Sequence, residues 1–384
     1  ETDEMFRHNE GQFNQENPKE LNYVSVPKAK LDRILVDSKS INERITKHFK
    51  EQVKSDLDHM IRYQVDADLI EKFKNDYSRS IVMAEFKKKN DRFISLMAKE
   101  FEMKKAATKY AKARLYTSGD IDINKIYKYK FDDRIFRKLT KLPKGKSHGM
   151  ILTLDLSGSM DQNMKGSLEQ ICILTAFCKK VQIPFRVFGF ASCHAFSETQ
   201  YGRNANREEF SQFSSDIGNL NLNDDSVYLK EFIHSNMSAK DYKNAFENLL
   251  LVKNTFGGRY RAGYSVYPPR DFALGSTPLN QAIVALKDVI TQFKTANQLD
   301  IVNTIFVHDG DANSTRRYYD VDSDYKYLDR HHATIMQDSK TRFQKTSLDE
   351  SRNNNMTHTL LSWLKHATGT QIFGFFVSTK MSDA

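Results

Sequence analysis

Residues 149–160, Gly-Met-Ile-Leu-Thr-Leu-Asp-Leu-Ser-Gly-Ser-Met, constrain the fold of this chain more than any other stretch. Met150, Ile151, Leu152 and Leu154 make a nearly unbroken apolar run. A run of that kind, closed by a Gly/Ser cluster, reads as a strand buried on both faces of a parallel sheet. It stops at Asp155. Asp155, Ser157 and Ser159 then set one carboxylate and two hydroxyls at alternate positions. Gly158 is expected to let the backbone fold tightly so that these oxygens converge. Hard, small oxygen donors of this kind suit Mg²⁺.

Asp-x-Ser-x-Ser is a weak pattern alone, since a polar turn after a strand gives the same letters. Its context strengthens it. A second strand-like run, Ile301 to His308, ends at Asp309-Gly310, and between the two lies Gly275-Ser276-Thr277-Pro278-Leu279, opening an amphipathic helix. In open α/β sheets, ligands bind beyond the carboxyl ends of the strands. Asp155, Ser157, Ser159, Thr277 and Asp309 are therefore the expected metal ligands.

That ordered set resembles the metal-ion-dependent adhesion site (MIDAS) of von Willebrand factor A (VWA) domains, over roughly residues 131–384. The resemblance implies a VWA-type, doubly wound α/β fold with a mostly parallel sheet. It also implies Mg²⁺, with Mn²⁺ as a substitute, held by serine and threonine hydroxyls and by carboxylates. One coordination position is then left to an acidic residue of a partner protein. Residues 111–138 are similar to the segment ahead of the VWA domain in cobalt-chelatase large subunits, and to VWA proteins of large tailed phages. That likeness rests on Gly119, Asp120, Ile121, Asp122, Ile126, Asp133, Ile135 and Phe136. It implies a MoxR-like AAA+ ATPase, or its client, as partner.

The net charge is +9, and residues 101–150 alone hold 14 Lys and Arg against 5 Asp and Glu, an excess as large as that of the whole chain. A basic stretch can meet nucleic acid or an acidic protein surface. No nucleic-acid motif accompanies Tyr110, Tyr116, Tyr127 and Tyr129, so the protein surface is favoured and nucleic acid is the lesser alternative. No apolar run approaches the ~20 residues a membrane span needs. Cys172, Cys178 and Cys193 have neither the number nor the spacing of a disulfide framework. Buried thiols in a reducing, cytoplasmic compartment are expected (the host cytoplasm, should the chain be of phage origin). Glu1 in place of Met suggests a processed chain.

In order, residues 1–39 read as an extended arm. Residues 40–118 read as a helical region. Ile41, Ile45, Phe49, Val53, Leu57 and Met60 give one helix a single apolar face, and a second helical stretch from about Ala67 to Leu115 is expected to break near Asn90. Residues 119–148 are a basic connector in which Ile135 to Leu142 is expected to lie beside the central strand. The VWA-type unit then covers 149–384. Helices are expected at 164–181, 241–256, 278–298 and 357–367, and strands at 184–190 and 370–378. Insertions fall at about 193–237, with a strand at Val227 to Ile233, and at 311–345. Loops 191–200, 257–276 and 311–330 would ring the ion. They bring Arg259, Arg261, Arg316, Arg317 and Asp311 as candidate partner contacts, the arginines suited to acidic groups.

Catalytic patterns were sought and not found. Gly145-Lys146-Ser147 lacks the phosphate loop's first glycine, because position 140 is Thr140, and a strand rather than a helix follows. Gly257-Gly258-Arg259 lacks the lysine. His331, His332, His358 and His366 have no zinc-peptidase spacing. Ser157 and Ser159 have no base beside them, and the ring of His308 is expected to pack or meet solvent. Asp320, Asp322 and Asp324 imitate a calcium loop, but Tyr325 and His331 stand where glycine and glutamate belong. The expected function is Mg²⁺-dependent protein recognition without catalysis. A cobalt or magnesium chelatase subunit and an adhesion or virion structural protein are the alternatives.

Overall fold

The apolar run at 150–154 forms the middle of the main sheet in the computed structural model. The structure describes residues 22–111, 114–116, 130, 139–141, 147–192, 211–256, 266–310, 312–313, 315–321, 325–328, 334–347 and 354–377. Numbered in chain order, the strands are β1 (Asn22–Ser25), β2 (Leu35–Val36), β3 (Arg114–Tyr116), β4 (Leu139–Lys141), β5 (His148–Asp155), β6 (Phe185–Ala191), β7 (Tyr228–His234), β8 (Ile301–His308), β9 (Arg317–Tyr318), β10 (Lys326–Tyr327), β11 (Thr334–Asp338), β12 (Phe343–Ser347) and β13 (Gln371–Phe376). The helices are α1 (Leu31–Ile34), α2 (Ser38–Arg62), α3 (Ala67–Asp76), α4 (Arg79–Ala111), α5 (Met164–Lys180), α6 (Ala239–Thr255), α7 (Leu279–Ala296) and α8 (Asn354–Thr368).

Six strands make the main sheet, in the order β13-β8-β5-β6-β7-β2. β13, β8, β5 and β6 are mutually parallel, while β7 runs antiparallel to β6 and carries β2 parallel at its edge. The chain is thus mixed α/β with a mostly parallel sheet. β5 is buried on both faces. Leu152 and Leu154 join an apolar cluster with α5 and α6, and Ile151 joins the opposite one with α7 and α8. That double burial is why the run has no polar alternation.

The amino-terminal helices α2, α3 and α4 belong to the first of these clusters, and Ile34 of α1 to the second. Ile41, Ile45 and Phe49 of α2 and Val82, Phe86 and Ile94 of α4 are buried with Leu152, Leu154 and Val187. Each such side chain contributes about 1.5–3 kcal/mol on burial. Asp37 caps α2 by accepting from the Ser40 amide at 2.9 Å, which satisfies a first-turn donor. β1, in the stretch read as an arm, pairs with β11, and β11 pairs with β12, making a separate three-stranded sheet.

Four expectations need correction. The second helical stretch does not break near Asn90. α4 is continuous there, because the buried Asn90 side chain donates to the Phe86 carbonyl at 3.1 Å within the same helix. The break lies at Tyr77 and Ser78, between α3 and α4. Residues 139–141 are not beside the central strand. They pair with β3, and both edges of β5 are already taken by β6 and β8. The strand read inside the 193–237 insertion is β7 of the main sheet, so the inserted stretch ends near Val227. Gly158 is not sterically required, since a Cβ there would meet only the Gly275 carbonyl at an ordinary 3.9 Å.

Candidate metal centre

β5 ends at Asp155, which is fully buried, and Ser157 is nearly so. The chain then turns through a short 3-10 helix, Gly158–Gln162, into α5. The Ser157 amide donates to Asp155 Oδ1 at 2.9 Å. Ser157 Oγ lies 3.0 Å from Ser159 Oγ. Ser159 Oγ donates to Asp309 Oδ1 at 2.7 Å. Four of the five expected ligands thus form one hydrogen-bonded chain across the carboxyl ends of β5 and β8.

The segment just ahead of Thr277 reaches this place through the backbone of Gly275. The Gly275 amide donates to the Leu156 carbonyl, and the Gly158 amide to the Gly275 carbonyl, both at 2.9 Å. Gly275 is therefore laid against the Asp155–Ser159 loop in an isolated parallel bridge to Ser157. The Thr277 carbonyl accepts from the Asn313 amide at 3.0 Å, and the Ser276 amide donates to Ser192 Oγ at 3.1 Å. Among the described residues no hydrogen bond joins the Thr277 side chain to the other four.

The electrostatics of Asp155 are unusual for a buried carboxylate. Its Oδ2 is buried without a hydrogen-bond partner. Burial pushes the Asp155 carboxyl up to about 7, and the nearby charge of Asp309 pushes the same way against the Ser157 hydrogen bonds. A buried polar atom left unpaired costs free energy, so a native one calls for an explanation. Two carboxylates and two serine hydroxyls joined in one chain, with an unpaired oxygen on Asp155, fit a small hard cation. Among the described residues no three His, Cys, Asp or Glu side chains gather as a metal group. An ion here would depend on hydroxyl oxygens.

The other candidates fall as follows. His308 Nδ1 lies 3.0 Å from the Gly310 carbonyl and its ring meets Phe376 edge-on, a packing role. Arg316 is exposed. Arg317 pairs with Asp224 at 3.3 Å and lies over the rings of Tyr325 and Tyr327 at 4.7 and 5.3 Å. Those contacts hold the β9–β10 hairpin. Asp320, of the calcium-like run, bridges to Lys326 at 2.7 Å. Arg259, Arg261, Asp311, Cys193 and the connector residues 119–129 and 131–138 lie outside the described residues.

Sequence reading missed the support behind Thr277. Asp271, buried, takes both Nε and Nη2 of Arg44 from α2, at 3.0 and 2.6 Å. The fully buried Lys230 of β7 donates to the Asp271 carbonyl at 2.9 Å. One signal was available. Lys230 interrupts the strand Tyr-Leu-Lys-Glu-Phe-Ile, and a cation in a buried strand requires a partner. Its partner in sequence could not be read, being 41 residues away.

No family model, no curated protein and no solved structure was found to match the chain.

Proposed function

We propose that the chain is a VWA-type domain that binds Mg²⁺, or Mn²⁺, through Asp155, Ser157, Ser159, Thr277 and Asp309, and recognises a partner protein through that site. The observation that carries the reading is the hydrogen-bonded chain of Asp155, Ser157, Ser159 and Asp309, in which Asp155 keeps a buried oxygen that has no partner. When bound, the ion would supply a coordination position for an acidic side chain of the partner. The chain's own part is to hold hydroxyls and carboxylates facing one point at the rim of the sheet. The strand order and the placement of the site at strand carboxyl ends agree with this reading. The partner is a protein with an exposed Asp or Glu, a MoxR-like AAA+ ATPase or its client by the resemblance noted above. The protein acts as an adaptor without catalysis.

The test has two steps. Titration calorimetry with Mg²⁺ and with Mn²⁺ is expected to give one site in the wild type and none in Asp155→Ala. A pull-down with a MoxR-like ATPase encoded beside this chain is then expected to weaken with EDTA and with Ser157→Ala. Binding that ignores both would place recognition elsewhere.

A further inference from the structure

The loop that carries Thr277 is held from the amino-terminal layer of the molecule. His48 Nε2 of α2 lies 2.8 Å from the Tyr267 carbonyl. One turn earlier on the same helix, Arg44 grips Asp271 with two hydrogen bonds. Lys230 holds the Asp271 carbonyl from below, and Phe272 stacks on Phe232 of β7 with ring centres 4.4 Å apart and planes at 15°. Asp271 sits in a short 3-10 turn, Arg270–Phe272. Three residues later Gly275 docks by two backbone hydrogen bonds onto the Asp155–Ser159 loop. Between this grip and the docked segment lie only Ala273 and Leu274 beyond the turn.

We propose that Arg44 is a positioning residue for the ion site: by fixing Asp271 it sets where Gly275 docks beside Ser157, and with it the course of the chain to Thr277, so the amino-terminal helix α2 governs ion affinity. The inference rests on the ion reading given above. The physical basis is geometric. A planar guanidinium bound at two points fixes both the distance and the orientation of its carboxylate. Groups that orient a ligand without touching the metal tune its affinity. Any partner that displaces α2 would then change ion binding at the opposite side of the loop.

The experiment compares Arg44→Gln, Arg44→Lys and Asp338→Ala in the full chain. Asp338 is the control. It accepts from Trp363 Nε1 of α8 and from Thr341 Oγ1, at 2.8 and 2.9 Å, and among the described residues has no hydrogen bond to α2 or to the 266–277 loop. Mn²⁺ affinity is read by electron paramagnetic resonance, and amide exchange of peptides spanning 266–278 is read without metal. Arg44→Gln is expected to weaken Mn²⁺ about tenfold and to speed exchange in the loop. Arg44→Lys, which keeps the charge but not the two-point geometry, is expected to fall between it and the wild type. Asp338→Ala is expected to lower the melting temperature while leaving both readouts unchanged. Equal ion affinity and equal loop exchange in Arg44→Gln and the wild type would overturn the positioning role. Equal losses in Arg44→Gln and Asp338→Ala would overturn it also, because the effect would then be general destabilisation. A wild type that binds no Mn²⁺ would overturn the ion reading, and the exchange data would still decide whether Arg44 sets the loop.

Discussion

Asp155 and Asp271 are both buried aspartates, and the fold treats them in opposite ways. Asp271 has both carboxylate oxygens bound by Arg44 and its carbonyl bound by Lys230. Asp155 has one oxygen engaged by Ser157 and the other buried with no partner. The first arrangement is complete within the chain. The second leaves one buried oxygen unsatisfied. A buried carboxylate that only braced the structure would be expected to look like Asp271, because burying an unpaired polar atom is costly. The contrast separates a carboxylate that holds the fold from one that suits the ion-binding role proposed above.

The sharpest way to break this contrast is to remove Asp271. Asp271→Ala takes from the largely buried Arg44 the carboxylate it binds, while the main-chain carbonyl that Lys230 binds is kept. Removing one partner of such a pair is expected to cost about 3 kcal/mol, the lower figure because Arg44 retains some solvent contact. Urea unfolding would measure it. A loss below about 0.5 kcal/mol, the scale of ordinary surface changes, would mean that the pair is not a brace.

The next effect is a pH dependence with a definite sign. The Asp155 carboxyl has a reference value of 3.8 and is raised to about 7 in the fold. Between those values the folded state binds the extra proton. For this group, stability is fully present below about pH 4 and is lost as pH rises towards about 7. Metal-free wild type is expected to lose about 2–3 kcal/mol relative to Asp155→Asn across that window. Parallel stability curves for the two proteins would remove the electrostatic half of the contrast. In the wild type, Mg²⁺ competes with that proton, so its affinity is expected to rise from pH 6 to pH 8.

The smallest effect concerns the hydroxyl chain. Ser159→Ala deletes the bond to Asp309 and one expected donor. It is expected to weaken Mn²⁺ about tenfold, near 1.4 kcal/mol, with a stability change of about 0.5 kcal/mol or less, as for most partly exposed side chains. Calorimetry and thermal unfolding on the same sample would check both numbers. A large stability loss with unchanged affinity would invert the assignment.

Much of the site was legible in the chain. An apolar run too continuous for an alternating strand marked β5 as central. The spacing Asp155, Ser157, Ser159 placed three donors in one turn, because neighbours in sequence are neighbours in space. Asp309 was found by the same logic, at the end of a second buried run. The helices α2, α5, α6, α7 and α8 followed from their apolar period, and Asp37 and Ser238 caps mark two of their starts.

The tertiary structure decided what local pattern does not encode. Strand order was one such matter: β4 pairs with β3, and β7 enters the main sheet antiparallel. Asn90 looked like a helix breaker, yet its side chain bonds within the helix and the apolar face of α4 carries on past it. Above all, the grip of Arg44 and Lys230 on Asp271 joins residues 227 and 41 positions apart. Hydrophobic period and local spacing act over a few residues, so they define elements and single turns. Which cation completes which buried carboxylate depends on how those elements pack, and only the folded chain sets that.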